Sequence, residues 1–476
     1  MRNKNVRIVA SIAVSLTTSA MLAACGTSFD TERAADLVDG GDAAPTEEPG
    51  TETGQPSDAA QAFESSAPDA SDVVDGRSPD SGVPEGGAAC DGTTCSHPVS
   101  DVYVDPISGT DTAAGDRSHP LRSITKALTL VESTGVKVIH LGNGTYGAAN
   151  GDGYPLGLPD GVTLSAVNSG NVRLQSNALN QDAFAFAGNA TVEGVVLADF
   201  ATVMRSDKGN VLMRDVQMNN CINGFNLHDT ANVTLINVDF VGGTFALNLA
   251  NSAVVSMKGG SISGLAPVPT ATVLSATNNA RVSMDHVNVH DNLGYIYVDG
   301  NSTTSMTDSS ILNSSRGGLG DTAVNIGGNA VATLTRMTVS VASGPCILVY
   351  PGTENVSIEG SFITKCKVGI EFAAGAKLKV RNTSVSLNRE VGIVASGSGI
   401  DLGTSTSPGG NTFYGNASTG LELQTAAFTV PALGNTWMSS QQGTDISGHF
   451  ASGTTLAYPA SGVNMKLSVA GQSVTL

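Results

Sequence analysis

The same order of apolar and polar positions recurs along the middle of the chain. Residues 355–374 read NVSIEGSFITKCKVGIEFAA, and residues 377–396, KLKVRNTSVSLNREVGIVAS, repeat that order with different amino acids. Nine copies align, with starts spaced by 21, 22, 22, 27, 22, 28, 24 and 22 residues. The starts are Ala190, Val211, Val233, Val255, Val282, Thr304, Ala332, Val356 and Leu378. A period of this length indicates a repeat architecture in which neighbouring units complete each other's core.

Further apolar positions in each copy predict three short strands per turn. The residues two and seven positions after each start are apolar in all nine copies. A third set lies eight residues before the next start: Val203, Phe225, Leu247, Leu274, Ile296, Val324, Leu348 and Ile370. Each strand points one or two side chains inward, and stacking buries them in one continuous core. The pattern predicts a right-handed parallel β-helix, a single-stranded solenoid with about 22 residues per turn.

The region before the repeats predicts a cap on the open end of the coil. Ile124, Ala127, Leu128 and Val131 lie on one face of a short helix, and Ser123 can act as its N-cap. A cover is needed because exposed strand edges pair with other chains. The sequence therefore predicts a β-helix domain over residues 101–476, with a cap at 101–160 and C-terminal turns at 398–476.

Motifs at both ends of this domain resemble a known family. VYVDPISGTDTAAGDRSHPLRSITKAL and VIHLGNGTYGAANGDGYPLGLPDGVTLSA flank and include the helix, while IDLGTSTSPGGNTFYGN and GNTWMSSQQGTDISGHF lie near the C-terminus. They resemble the uncharacterised bacterial group called domain of unknown function 1565, within the pectate-lyase-like β-helices. The resemblance covers residues 101–476. It implies this fold and an envelope location, and it supplies no established catalytic residues.

The N-terminus predicts export and a lipid anchor. MRNKNVRIVASIAVSLTTSAMLAAC has a basic start, an apolar run and small residues before Cys25, the order of a secretory signal over residues 1–24. Its end resembles the bacterial lipobox, in which the thiol of the cysteine carries diacylglycerol; the alternative is an ordinary signal peptide with a chance cysteine. Acylation at Cys25 would anchor the chain stably, and Gly26 favours the outer membrane, with a periplasmic or surface-exposed location.

Residues 25–100 predict a disordered tether. Residues 26–100 hold 16 acidic residues against two arginines and few large apolar ones, a composition that cannot offset the entropy of ordering. Because the exported compartment is oxidising, Cys90 and Cys95 predict a small disulfide loop; a metal site that adds His97 is the weaker alternative. The net charge of −18 argues against nucleic acid as a partner.

The residues on the coil give little support for catalysis. Lyases of the related fold use an acidic cluster that holds calcium, and related glycosidases use paired carboxylates. Outward positions of the first strand are mostly Ser and Thr, without an acidic ladder. Asp285 and His286 are interpreted as a turn pair. The sequence predicts no catalytic residue, no metal and no cofactor; Ca²⁺ enters only if the lyase alternative holds.

Two insertions mark the predicted ligand site. GLAPVPT and SSRGGLGD lengthen the same corner two turns apart and flank residues 281–301. Loops on one edge of a solenoid tend to build its binding face, although loops of this length are also tolerated as decoration. Tyrosine rings suit sugar faces, and amides suit sugar hydroxyls. The predicted ligand residues are Tyr295, Tyr297, Asn248, Asn325, Asp291, Arg316 and Asp321.

The cysteines of the coil are ambiguous. Cys346 and Cys366 belong to neighbouring turns but are offset by two positions, so buried thiols are favoured over a disulfide. Cys221 has no evident partner.

Two functions therefore stay open. The favoured one is a non-catalytic, lipid-anchored envelope protein, monomeric, that binds polysaccharide or cell-surface glycan or acts as an adhesion module. The alternative is a polysaccharide lyase or glycoside hydrolase of the same fold.

Overall fold

Side chains at the repeated apolar positions stack in columns along the coil. The computed structural model describes residues 101–266, 271–314, 321–424 and 430–437 and the backbone of three later strands. These residues all belong to the unit Ala89–Leu476. Residues 1–100, which hold the predicted signal peptide, the predicted tether and Cys25, Cys90 and Cys95, lie outside the described residues. No helix in the described part of the chain is long and apolar enough to cross a membrane.

The predicted fold class is confirmed. The chain forms a parallel β-solenoid of about 12 turns with about 23 residues per turn. A complete turn contributes one strand to each of three sheets, named here the first, second and third sheet in chain order. The two long strands Asn232–Val241 and Val254–Ser263 run through both the first and the second sheet.

The strands of each sheet pair in parallel. The first sheet contains, besides the two long strands, Val102–Val104, Val138–Leu141, Val162–Ala166, Ala190–Glu193, Asn210–Arg214, Arg281–Asp285, Thr303–Thr307, Val331–Thr335, Asn355–Glu359, Leu378–Arg381 and Ile400–Asp401. The second contains Gly144–Tyr146, Val172–Gln175, Val195–Ala198, Gln217–Asn219, Asn288–Asn292, Ser310–Ser314, Thr338–Ser340, Phe362–Thr364, Ser384–Ser386, Thr412–Tyr414 and Thr436–Trp437. The third contains Leu156–Leu158, Asp182–Phe186, Thr202–Ser206, Asn223–Leu227, Phe245–Leu249, Thr272–Ala276, Tyr295–Val298, Val324–Ile326, Pro345–Val349, Val368–Phe372, Val391–Ala395, Thr419–Leu423, Ile446–Gly448 and Leu467–Val469. Val430–Pro431 and Leu456–Ala457 form a separate pair.

The register confirms the first two apolar columns and corrects the third. The nine predicted starts pair with one another from turn to turn, as do the residues seven positions later. In the third column Phe225 pairs with Met204, and Val324 pairs with Ile347. The predicted Val203 and Leu348 are therefore each one residue out of register, because the loop before the next start varies in length.

Residues with positive φ recur at the corners, where they let the chain bend between sheets. At the corner between the first and second sheets, here called the first corner, these include Asp215, Asn237 and Gly259 with φ of 52°, 52° and 67°. Asn, Asp and Gly tolerate this conformation best. Buried polar side chains then satisfy corner N–H groups: the N–H of Thr383 donates to Asn411 Oδ1 at 3.0 Å, and the N–H of Asn411 donates to Asn435 Oδ1 at 3.1 Å.

The capping helix forms as predicted. It spans Ile124–Thr134, its four predicted apolar residues are buried, and the Ser123 side chain accepts the Lys126 N–H. It ends at Gly135, whose φ of 75° suits glycine. A short 3₁₀ helix, Ala148–Asn150, follows.

One carboxyl beside this helix is buried and half satisfied. The Asp152 side chain is 4% exposed, and its Oδ1 accepts the Thr125 N–H at 3.0 Å, while no donor in the described residues reaches Oδ2. Burial raises the pKa of Asp152 to about 6, and the nearby Asp111 adds to the increase. Because burial disfavours the charged form, this carboxylate destabilises the cap at neutral pH.

Candidate functional site

The outer face of the third sheet brings three of the seven predicted ligand residues, Asn248, Tyr297 and Asn325, into one row. Asn226, Asn248, Ser275, Tyr297 and Asn325 pair consecutively across five turns. The row continues through Leu348 and Glu371. Consecutive members are therefore one strand spacing apart, about 4.8 Å.

Two tyrosines dominate this row. Tyr295 and Tyr297 lie on either side of Ile296, which is 1% exposed and faces the core. Both rings are half-buried on the outer face, with centroids 6.3 Å apart and planes at 79°. The Tyr297 hydroxyl donates to Asp299 Oδ2 at 2.6 Å. Burial and this hydrogen bond to a carboxylate raise the pKa of Tyr297, so its hydroxyl stays protonated as a donor.

A third tyrosine, which the sequence reasoning missed, completes the cluster. Tyr350 follows the strand Pro345–Val349 and is 41% exposed. Its ring lies over Gly327, where an added Cβ would sit 3.6 Å from Tyr350 Cδ2 and 3.2 Å from Asp299 Oδ1. Burial raises the pKa of Tyr350, with contributions from Tyr295 and Glu371. We call Tyr295, Tyr297 and Tyr350 the tyrosine cluster.

The register error explains why Tyr350 was missed. Assigning Leu348 to the core places Tyr350, two residues later, on the inner side of the same strand. In the structure Ile347 faces the core, so Leu348 and Tyr350 both face outward. Aligning this strand on its own alternation of apolar residues, instead of on a fixed distance from the next repeat start, would have placed Tyr350 on the outer face.

Amide groups border the tyrosines. Asn248 Nδ2 donates to Asn226 Oδ1 at 3.0 Å, so these two amides form a short ladder below the cluster. Asn325 Oδ1 is buried one turn above Tyr297 and has no donor among the described residues. A buried amide oxygen without a donor costs free energy.

The remaining predicted ligand residues lie away from this row or outside the described residues. Asp291 is exposed at the corner between the second and third sheets, 2.9 Å from His290 Nδ1 and 2.7 Å from Asn313 Nδ2. These hydrogen bonds lower its pKa. Asp321 is 6% exposed and lies 3.3 Å from Ser343 Oγ, while Arg316 and most of both insertions lie outside the described residues.

A second polar group lies at the first corner. Ligand atoms of Asp285, His286 and Asp308 all lie within 4.8 Å of one another. Both Asp308 oxygens accept from Arg336 Nε and Nη2 at 2.6 Å, and Arg336 lowers the pKa of Asp308. A glycosidase needs a general acid whose pKa is raised, so Asp308 does not fit that role. The sequence reasoning noted Asp285 and His286 but missed Asp308, which stacks on them one 22-residue turn later.

The prediction of free thiols at two cysteines of the coil is wrong. Cys346 and Cys366 form a disulfide with Cα atoms 5.5 Å apart, whereas free thiols were favoured from the sequence. Cys366 lies at the corner between the second and third sheets, nearly one full turn after Cys346. Cys221 is a buried free thiol, and burial raises its pKa to about 11, which makes it a poor nucleophile at neutral pH.

Comparisons with known proteins identify one family and several solved structures of low similarity. The family described as Protein of unknown function (DUF1565) matches residues 107–442. No curated protein matches the sequence. Similar solved structures include the A-module of the Azotobacter vinelandii mannuronan C-5 epimerase AlgE4, at 15% identity over 77% of this chain and 100% of that one, with a TM-score of 0.35. The Dettilon tailspike protein matches at 16% identity over 77% and 68% of the chains, with a TM-score of 0.36. At these identities the similarity concerns the fold.

Proposed function

The chain belongs to the family described as Protein of unknown function (DUF1565), and we propose that it is a lipid-anchored envelope β-helix that binds polysaccharide without transforming it. The tyrosine cluster on the outer face of the third sheet carries this proposal. The Tyr295 and Tyr297 rings, 6.3 Å apart, the exposed Tyr350 and the Asn248 amide all belong to this face. Aromatic faces stack on sugar rings while amides bond their hydroxyls, which is the chemistry of glycan recognition.

The charges of the cluster favour a neutral polysaccharide. Asp299 bonds the Tyr297 hydroxyl, and Glu371 lies close enough to raise the pKa of Tyr350. Both groups are acidic, and the whole chain carries −18. A polyanionic glycan would meet repulsion here, whereas the carboxylates can accept hydrogen bonds from neutral sugar hydroxyls.

The binding test uses two soluble polymers and two tyrosine variants. Full-length protein in detergent is titrated with a neutral glucan and with polymannuronate, and we expect the glucan to bind more tightly. Tyr297→Ala should weaken glucan binding by about 1–3 kcal/mol, by analogy with aromatic stacking on other flat rings. Tyr414, 50% exposed on the second sheet, provides the matched control, because Tyr414→Ala should leave the affinity unchanged. Equal losses in both variants, or no binding of either polymer, would refute the proposal.

The lipid anchor is a separate part of the proposal. The order of basic, apolar and small residues before Cys25 supports acylation at that cysteine, with outer-membrane retention favoured by Gly26. We expect wild-type protein in the membrane fraction and Cys25→Ser in the soluble fraction. Cys90→Ser, another cysteine of the N-terminal segment, should fractionate with membranes like wild type. Membrane retention of Cys25→Ser would contradict the anchor and leave the binding proposal standing.

A further inference from the structure

The first corner carries an unusual group of residues on three consecutive turns. His286, Asp308 and Arg336 all adopt positive φ, at 55°, 49° and 50°, and stack directly above one another. The His286 N–H donates to the Thr307 carbonyl at 3.1 Å, and the Asp308 N–H donates to the Thr335 carbonyl at 3.0 Å. Their backbones are thus fixed by the solenoid ladder, which holds the side chains in a reproducible arrangement.

The side chains converge as a mixed nitrogen and oxygen donor set. His286 Nδ1 lies 2.7 Å from Asp285 Oδ1, and the donor atoms of Asp285, His286 and Asp308 lie within 4.8 Å of one another. A metal ion placed among them would need only sub-ångström to ångström side-chain adjustments, because metal–ligand distances are about 2.0–2.2 Å. All three side chains are at least partly exposed, so an ion can enter from solvent.

We propose that Asp285, His286 and Asp308 form a binding site for a divalent transition-metal ion of the Zn²⁺ type. Imidazole nitrogen combined with carboxylate oxygen suits Zn²⁺, Ni²⁺ or Cu²⁺ better than Ca²⁺ or Mg²⁺, which take oxygen ligands. Three protein ligands leave a coordination position open to water or to a ligand oxygen. The site is separate from the tyrosine cluster and does not depend on the proposed function.

Arg336 competes with a metal ion for Asp308, so its removal should strengthen metal binding. Its guanidinium holds both oxygens of Asp308 at 2.6 Å, so it competes with a metal ion for that carboxylate. Removing the guanidinium frees Asp308 and removes a repelling positive charge. Arg336→Gln should therefore bind the ion more tightly than wild type.

A second His–Asp pair in the same turn supplies the matched control. His290 Nδ1 lies 2.9 Å from Asp291 Oδ2, but the residue stacked on the next turn is Asn313, whose amide donates to Asp291. This pair has an imidazole that is 34% exposed and a carboxylate that is 65% exposed, without the second carboxylate. If a surface histidine alone accounted for Zn²⁺ binding, substitution of His286 and of His290 would weaken that binding equally.

The test is calorimetric titration of Zn²⁺ into full-length protein in detergent. All variants carry Cys90→Ser and Cys95→Ser, which removes these two thiols as competing ligands, while the remaining free thiol of the coil, Cys221, is buried. His286→Asn keeps a residue that accepts positive φ and should weaken binding at least 10-fold, on the order of the loss for altered metal-site residues. Arg336→Gln should strengthen binding, and His290→Asn should not change it. Unchanged affinity in His286→Asn, or an equal loss in His290→Asn, would overturn the assignment.

Discussion

Ile296→Asp is expected to abolish the cooperative thermal melt of the β-helix. Ile296 is 1% exposed and stacks between Leu274 and Val324 in the inner column of the third sheet. The change removes a buried aliphatic side chain, at about 2–5 kcal/mol, and buries a carboxylate without a partner, at several kcal/mol more. Each turn of a solenoid is stabilised by its neighbours, so the loss in this turn also removes support from the turns on both sides.

Adjacent substitutions keep this result interpretable. Ile296→Val should cost only about 0.5–1.5 kcal/mol and retain a single sharp transition. Tyr297→Ser, one residue further but on the outer face, should shift the melt far less than Ile296→Asp. A stable Ile296→Asp protein together with a collapsed Tyr297→Ser protein would place the strand in the opposite register.

Asp152→Asn is expected to stabilise the N-terminal cap at neutral pH. The pKa of Asp152 is about 6 in the folded protein against an ordinary value of 3.8. Below about pH 3 the carboxyl is protonated in both folded and unfolded chains and carries no penalty. Between pH 4 and 6 only the unfolded chain ionises freely, so wild-type stability falls as pH rises. The full penalty, about 1–3 kcal/mol, is present above pH 6.

Urea melts at pH 4 and pH 7.5 measure this difference. Asp152→Asn keeps an oxygen for the Thr125 N–H and removes the titration, so its advantage over wild type should be large at pH 7.5 and much smaller at pH 4. Asp116 is the control on the same cap: hydrogen bonding by the His119 N–H lowers its pKa, so Asp116→Asn should give no such gain. An Asp152→Asn advantage independent of pH would show that burial does not raise this pKa.

The fold was predictable because its signal is repeated. Nine copies of an apolar column average out local exceptions, so the period, the three strands per turn and the helix after Ser123 were all recovered from the sequence. The corners can also be recognised in the sequence, because Asn, Asp and Gly recur where φ must be positive. Only the third column was predicted in the wrong register, at Val203 and Leu348, because the register there depends on loop length and not on hydrophobicity.

The candidate sites were less predictable because they depend on which residues stack. Tyr295 and Tyr297 were identified from alternation within one strand, whereas Tyr350 required the correct register two turns away. Asp308 joins His286 only because both occupy the same corner on consecutive turns. The disulfide between Cys346 and Cys366 depends similarly on the path around a corner, which spacing alone does not give.

Footprinting of the tyrosines tests the central claim, that the outer face of the third sheet binds polysaccharide. Full-length protein is modified by hydroxyl radicals with and without saturating neutral glucan, and the oxidation of each tyrosine is followed by mass spectrometry. Tyr350 and Tyr414 have similar exposure, at 41% and 50%, on different sheets. If the outer face of the third sheet binds polysaccharide, bound glucan should protect Tyr350 and Tyr297 from oxidation and leave the oxidation of Tyr414 unchanged. Protection of Tyr414 while Tyr297 and Tyr350 stay fully reactive would contradict it.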